Sequence, residues 1–220
     1  MSAKVVVLTK VPAAGAVKTR LIPLLGAEGA KRLHEAMVAD LQELLASIGV
    51  VPEWWVAGDL QDPWVESLQG TVRPQPNGDL GARIAAALAE GGVALGTDSP
   101  TIPAEWLEAA LHAESDVVLG PSTDGGCWLI GTATDHGHLF EQMQWSVDTV
   151  FAELKLRAAK AGLTISALPT GYDIDEPKDI ALLCEHLAEL PPHVARNTRA
   201  LLSSPLEPQC PSSTTTSPHP

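Results

Sequence analysis

The sequence predicts an α/β fold with a mostly parallel sheet and helices on both faces. Three observations carry that expectation. Apolar, β-branched runs such as residues 4–9 (KVVVLT) show none of the polar alternation of a half-exposed strand, which is the mark of strands buried on both sides. Segments with apolar residues at helical spacing alternate with these runs along the chain, the order that builds β–α–β units. The 220 residues are 45% hydrophobic, long and apolar enough for one domain with a real core.

The first strand, residues 4–9, runs into a loop of small residues, Lys10-Val11-Pro12-Ala13-Ala14-Gly15-Ala16-Val17-Lys18-Thr19-Arg20. Residues 29–48 follow as an amphipathic helix with Leu33, Met37, Leu41, Leu44, Leu45 and Ile48 in register, stopped by Gly49. Glu53–Ala57 is a second strand, residues 62–68 a short helix, and Thr71–Pro74 a third, short strand. Trp54, Trp55 and Trp64 are read as packing residues, and His34 as solvated or packed. The turn through Asn77-Gly78-Asp79 opens a helix whose buried stripe is Leu80, Ile84, Ala87 and Leu88, closed by Gly91-Gly92. A strand at 93–97, a helix from about Pro103, and strands at 116–120 and 126–131 come next. The Thr123-Asp124-Gly125-Gly126 turn between the last two predicts one hairpin-like exception to the parallel sheet. A helix over 146–161, a last strand over 163–168, a helix after Asp173 with stripe Ile180, Leu183, Leu187 and Leu190, and a short helical turn at Arg196–Leu202 complete the domain at 1–202. Residues 203–220, dominated by Ser, Thr and Pro, are expected to form a disordered tail.

Charge narrows the function classes. The net charge is −13, which argues against nucleic-acid binding, whose footprint is a basic face. Residues 1–27 nevertheless hold Lys4, Lys10, Lys18 and Arg20 and no acid. A basic island in an acidic chain suits a small anionic ligand. The cysteines, Cys127, Cys184 and Cys210, are far apart and form no CxxC pair, so neither a zinc knuckle nor a disulfide framework is expected, and the compartment is read as reducing. No apolar run approaches a membrane span, and the chain is expected in the cytoplasm.

Candidate site residues fall at strand ends, where open α/β sheets bind ligands. In the first loop, small residues around Gly15 let backbone N–H groups approach phosphates, and Lys18 and Arg20 can neutralise a diphosphate. The GxxxxGK[ST] spacing of a Walker loop is absent. Asp98, in Gly96-Thr97-Asp98-Ser99-Pro100, is either a ligand for a hard divalent cation or an Asx-turn that closes its own loop. Asp79 is a helix cap in a turn that can also face a base or ribose.

Six blocks, KVPAAGAVKTRL, NGDLGARI, GTDSPTIP, GPSTDGGCWLIG, MQWSVDTV and DIDEPKDI, occur in an order that resembles the DUF2064 family. That family comprises GT-A-fold nucleotide-diphospho-sugar transferases of the glycosyltransferase-like, arsenosugar-biosynthesis type. The resemblance spans about residues 4–190. It matches at Lys18, Thr19, Arg20, Asp98, Asp124, Gly125, Gly126, Trp145, Asp173 and Asp175, and departs at Ala13-Ala14, at Cys127 where the family has Tyr, and at Val147 where it has Thr. It implies a Rossmann-like GT-A fold with a nucleotide held at the first strand–loop. Lys10, Gly15, Lys18, Thr19, Arg20, Asp79, Gly125 and Gly126 are the expected nucleotide contacts. Mg²⁺ or Mn²⁺ is expected on Asp98 and Asp175, with Asp98 and Asp124 as catalytic residues and Asp124 facing the acceptor. Asp175 also reads as a helix cap before Pro177. The implied activity is metal-assisted sugar transfer from a nucleotide-diphospho-sugar donor to a small acceptor. Two alternatives stand beside it: a nucleotidyltransferase acting on a nucleoside triphosphate and a phosphorylated small molecule, and a nucleotide-sugar-binding protein without catalysis.

Overall fold

The computed structural model describes residues 4–204. Seven strands form one sheet: β1 (Val5–Lys10), β2 (Glu53–Ala57), β3 (Thr71–Pro74), β4 (Gly92–Leu95), β5 (Val117–Pro121), β6 (Cys127–Thr132) and β7 (Ile165–Ala167). Their spatial order is β3-β2-β1-β4-β6-β5-β7. All neighbours are parallel except β6, which runs antiparallel between β4 and β5. The expected exception at the Asp124-Gly125-Gly126 turn is therefore present. Its chain reverses through Gly125 N–H to Ser122 O and Ser122 N–H to Gly126 O, both 3.0 Å.

Among the described residues six α-helices accompany the strands: α1 (Ile22–Ser47), α2 (Leu80–Ala87), α3 (Ala104–Leu111), α4 (Val150–Lys160), and, after the last strand, α5 (Pro177–Glu189) and α6 (Arg196–Leu202). Side chains alternate across a strand, so each strand feeds two cores. Val5, Val7 and Trp54 pack with Val38, Leu41 and Leu45 of α1 and Leu107 of α3. Val6 and Trp55 pack on the opposite face with Ile84 and Leu88 of α2 and Leu154 of α4. Leu33 and Met37 of α1 form a third cluster with Ile180, Leu183 and Leu187 of α5 and Leu202 of α6. Helices on both faces of a mostly parallel sheet are what the sequence predicts.

Several boundaries differ from the sequence expectation, each for a local reason. α1 starts at Ile22, with a break at Gly26 (φ 70, ψ 168) that leaves the regular helix close to the expected start. β4 stops at Leu95, so Gly96-Thr97-Asp98 is loop. β7 is Ile165–Ala167, shorter than the expected strand. α4 starts at Val150 because Ser146 has φ 62, and residues 146–149 turn back over the Asp124-Gly125 loop. There Gly125 (φ +86) presses so close to the Asp148 carbonyl that a Cβ has no room. Cys184 on α5 is disulfide-bonded, which runs against the reducing compartment read from the sequence: pairing follows spatial proximity, which the spacing of the cysteines does not encode. Cys127 is free. Ser203 and Ser204 end α6 through backbone bonds to Arg199 O and Leu201 O; the rest of the expected tail, 205–220, lies outside the described residues. Among the described residues no helix is long and apolar enough to cross a membrane.

Candidate active site

A cleft of about 600 Å³ opens over the carboxyl ends of β1, β3 and β4. The loop after β1 enters it with Lys10, Lys18, Thr19 and Arg20; the loop after β4 brings Asp98; the β5–β6 turn brings Asp124; and the segment before α5 brings Asp175.

Lys18 is the centre of this arrangement. It adopts a left-handed backbone (φ 47, ψ 41) just before the Thr19–Leu21 3-10 turn. That kink sends its side chain inward, where it is 4% exposed. Its ammonium donates to Ile174 O at 2.7 Å and to Asp175 Oδ1 at 3.0 Å, and forms an ion pair with Asp98. Burial works against its charge, but Asp98 and Asp175 outweigh burial and hold its pKa above that of a free lysine. The two carboxylates remain 44% and 46% exposed toward the cleft.

Backbone pairing explains why these distant positions meet. Ile174 N–H bonds to Asp98 O at 2.8 Å, Gly171 N–H to Pro121 O at 2.8 Å, and Thr123 N–H to Gly171 O at 3.0 Å. The 171–175 segment is thus stitched across the ends of β4 and β5. Asp173 lies between the two loops and accepts from Ser99 Oγ and, at 3.0 Å, from Ser122 Oγ. Burial pushes its carboxyl up to about 6, with Asp98 and Asp124 adding to the rise and the two serine bonds opposing it. Burial, with Asp173 and Asp124 nearby, also pushes the Cys127 thiol up to about 12, so this cysteine is no thiolate nucleophile at neutral pH.

The other expected residues divide into two groups. Lys10, Thr19 and Arg20 line the cleft. Gly15, Asp79, Gly125 and Gly126 do not. Asp79 accepts from Ala82 N–H at 2.8 Å as the N-cap of α2, and Gly125 serves the packing described above. Asp124 reaches the cleft, but its Oδ1 accepts from Gly126 N–H at 2.9 Å. Asp175 is not the cap of α5: Glu176 and Asp179 form the capping box there, which leaves Asp175 to Lys18 and the cleft.

Gln75, Arg83 and Asp148 line the cleft without having been singled out in the sequence. Gln75 donates to Thr9 O at 2.7 Å and to Trp55 O at 3.0 Å, and accepts from Arg83 Nη1 at 2.9 Å. His34, buried on α1, contacts Lys10 O at 3.1 Å and Thr9 Oγ1 at 3.3 Å; burial lowers its pKa, so it stands as a neutral packing residue. Asp148 lies opposite, beside Ser146 and Val147. The one available signal was spacing: Arg83 lies three residues after Leu80 and so shares its helix face.

Asp98 and Asp175 fit a divalent cation in one respect that the geometry shows: both already converge on a single cationic atom, Lys18 Nζ. Among the described residues no third His, Cys, Asp or Glu completes a cluster. An ion held by these two carboxylates would have to fill its shell with phosphate oxygens and water.

Comparison with known proteins agrees with this architecture. The model of a family described as uncharacterized protein conserved in bacteria (DUF2064) matches residues 40–147. The chain is 27% identical over 195 residues to a 2-phospho-L-lactate guanylyltransferase of Haloarcula marismortui, covering 80% of this chain and 84% of the relative. A Desulfovibrio desulfuricans G20 structure, provisionally described as a nucleotide-diphospho-sugar transferase, superposes with a TM-score of 0.83 at 27% identity, over 92% of this chain and 95% of that one. The inositol-1-phosphate CTP transferase of T. maritima shares the fold with a TM-score of 0.52 at 15% identity, over 93% and 99% of the two chains. The resemblance to DUF2064 and to the nucleotide-diphospho-sugar transferase fold is borne out. The matched span contains Asp98 and Asp124 but neither Lys18 nor Asp175, which tertiary structure adds to them.

Proposed function

We propose that this chain, built on the DUF2064 pattern, is a nucleotidyltransferase that joins a nucleoside monophosphate to a phosphorylated small molecule and releases pyrophosphate. The carrying observation is the cluster of Lys18, Asp98 and Asp175 at the mouth of a cleft lined by Thr19 and Arg20. Such a cluster grips a chain of phosphates. The similarity to a guanylyltransferase over most of both chains favours this reading over the sugar transfer that the sequence suggested first.

The chemistry also favours it. An acceptor phosphate is already an anion, so its oxygen attacks the α-phosphorus without a base. The bond from the α-phosphorus to the bridging oxygen breaks, and pyrophosphate leaves with the electron pair. Sugar transfer to a hydroxyl needs a proton acceptor, and Asp124, the expected candidate, has Oδ1 engaged by Gly126 N–H. Arg20 and Thr19 would bind the phosphates, Arg20 as a planar fork. Lys18 would hold its ammonium beside the charge that develops on the leaving group. Mg²⁺ or Mn²⁺, held by Asp98 and Asp175, would neutralise phosphate charge. Asp124, Ser146 and Asp148 flank the side open to the acceptor. A reaction fed by nucleoside triphosphates would suit the cytoplasm, where those substrates are made and kept.

The test is to incubate the protein with each nucleoside triphosphate, a panel of phosphorylated C3–C6 acids and polyols, and Mg²⁺ or Mn²⁺, and to measure pyrophosphate. In parallel, nucleotide sugars are offered and nucleoside diphosphate is measured. Acceptor-dependent pyrophosphate supports the proposal; release of nucleoside diphosphate alone returns the chain to sugar transfer.

A further inference from the structure

We infer that Arg83, locked in place by Gln75 and flanked by Leu80, is the residue that reads the nucleobase, and that it selects guanine. The inference rests on the reading above that the cleft takes a nucleoside triphosphate.

The strand order β3-β2-β1-β4 puts Asp98, after β4, on one side of the cleft and Gln75, after β3, on the other. One carries the charges already described. The other is lined by Leu8, Gln75, Leu80 and Arg83, with no carboxylate. Leu80, expected in the buried stripe of α2, is instead 41% exposed and lines this polar cleft. Leu80 and Arg83 share one face of α2 at a spacing of three. Together they offer an apolar surface for the face of a ring and a donor for its edge. Phosphates belong at the cationic end, so the base of the same nucleotide belongs here.

Gln75 does not read the base. Both its amide hydrogens go to backbone carbonyls, Thr9 O and Trp55 O, and its oxygen accepts from Arg83. A reversed amide would face an oxygen to two carbonyl oxygens, so this network settles its orientation. Gln75 is a positioning residue: it ties the ends of β1 and β2 to the Arg83 guanidinium.

Arg83 itself is far from saturated. Of the five N–H donors of a guanidinium, one goes to Gln75, and Nε is buried without a partner. Its only hydrogen bond among the described residues is to Gln75. A planar fork of donors matches two adjacent acceptors. Guanine presents O6 and N7 side by side, whereas adenine puts an amino donor in place of O6. An arginine facing adenine meets a donor with a donor, which disfavours the wrong base instead of merely failing to bind it.

The experiment measures, by calorimetry with Mg²⁺ present, the affinities of the full chain for GTP, ITP, ATP, CTP and UTP. It then repeats them with Arg83→Lys and Arg83→Met, after checking melting temperatures. ITP shares O6 and N7 with GTP but lacks the 2-amino group. GTP and ITP should bind the unaltered protein about 10-fold or more tighter than ATP, the scale of a bidentate arginine contact. In Arg83→Lys, which keeps the charge and loses the fork, that preference should collapse while ATP affinity stays within about 2-fold. Equal loss for all five nucleotides would make Arg83 a phosphate contact and overturn the inference. So would a pyrimidine preference, no preference between ITP and ATP in the unaltered protein, or full guanine preference in Arg83→Lys. Nucleotide binding without base preference sinks this inference alone; no nucleotide binding at all sinks the proposed function with it. Should both variants fail to fold, the ITP-to-ATP ratio of the unaltered protein still decides.

Discussion

Two strand-end aspartates, Asp98 after β4 and Asp124 after β5, look alike in the sequence: each follows a buried apolar run and sits in a turn of small residues. The structure separates them. Asp98 is paired with a buried lysine from the other half of the cleft, and that lysine is shared with Asp175. Asp124 spends an oxygen on the amide of Gly126, two residues ahead. One belongs to a charge cluster assembled from three segments; the other closes its own turn. A strand-end carboxylate therefore identifies chemistry only when a charge it did not bring itself comes to meet it.

Four experiments break or sharpen that contrast. The largest effect is expected for Asp98→Asn. The change keeps the size and turn-forming ability of the side chain and leaves Lys18 paired with Asp175 and Ile174 O, so the melting temperature should hardly move. Turnover should fall about 10²–10³-fold, the scale of removing one charge-stabilising group from an active site. Undiminished, metal-dependent turnover in this variant would reduce Asp98 to a second Asp124.

Arg20→Ala tests whether an exposed cation of the cleft binds ligand. Nucleoside triphosphate affinity should drop by about 1.5–3 kcal/mol, the worth of a hydrogen bond to a charged group. Calorimetry showing an unchanged dissociation constant would remove Arg20 from the phosphate path.

Asp173 links the two loops under comparison, and its pKa of about 6 lies above that of an unfolded aspartate. The native state therefore holds the proton more tightly than the unfolded chain does. The associated stability is fully present below about pH 4 and lost as pH rises through about 6, on the order of 2 kcal/mol. In the presence of a chelator, chemical-denaturation midpoints between pH 4.5 and 7 should fall more for the unaltered protein than for Asp173→Asn. Parallel profiles would show that the carboxyl does not titrate differently on folding.

The smallest effect is expected for Asp124→Asn. Asparagine also accepts from the Gly126 amide, and an anionic acceptor needs no base. Turnover should change less than about 10-fold, against the roughly 10²–10⁴-fold that loss of a general base costs. A loss in that larger range, with kcat falling and affinity intact, would restore Asp124 as a catalytic residue and reopen sugar transfer.

The sequence by itself determined what a few neighbouring residues can settle. The apolar runs of β1 and β5 are continuous because both faces are covered. Asp79 caps α2 because its side chain reaches the Ala82 amide, and the Asp124 turn closes on Gly126. Each of these bonds closes a ring of a few atoms, so residue type and order suffice to foretell it. The six motif blocks marked the same loops, whereas the pairing of Lys18 with both Asp98 and Asp175 is a feature of the structure.

Only the tertiary structure decided the rest. Lys18 and Asp175 are 157 positions apart; the strand order 3-2-1-4-6-5-7 puts the loop after β1 beside the loop after β4, and the Ile174 N–H bond to Asp98 O brings Asp175 to the same place. The spacing of residues does not encode that order: the entropy of closing a long loop changes only slowly with its length, so many orders cost nearly the same until side chains pack. For the same reason Asp173 gave no sign of bonding Ser99 and Ser122. These bonds exist because burying both faces of the sheet brings those loops together, and a buried polar group there must find its partner in whatever segment arrives.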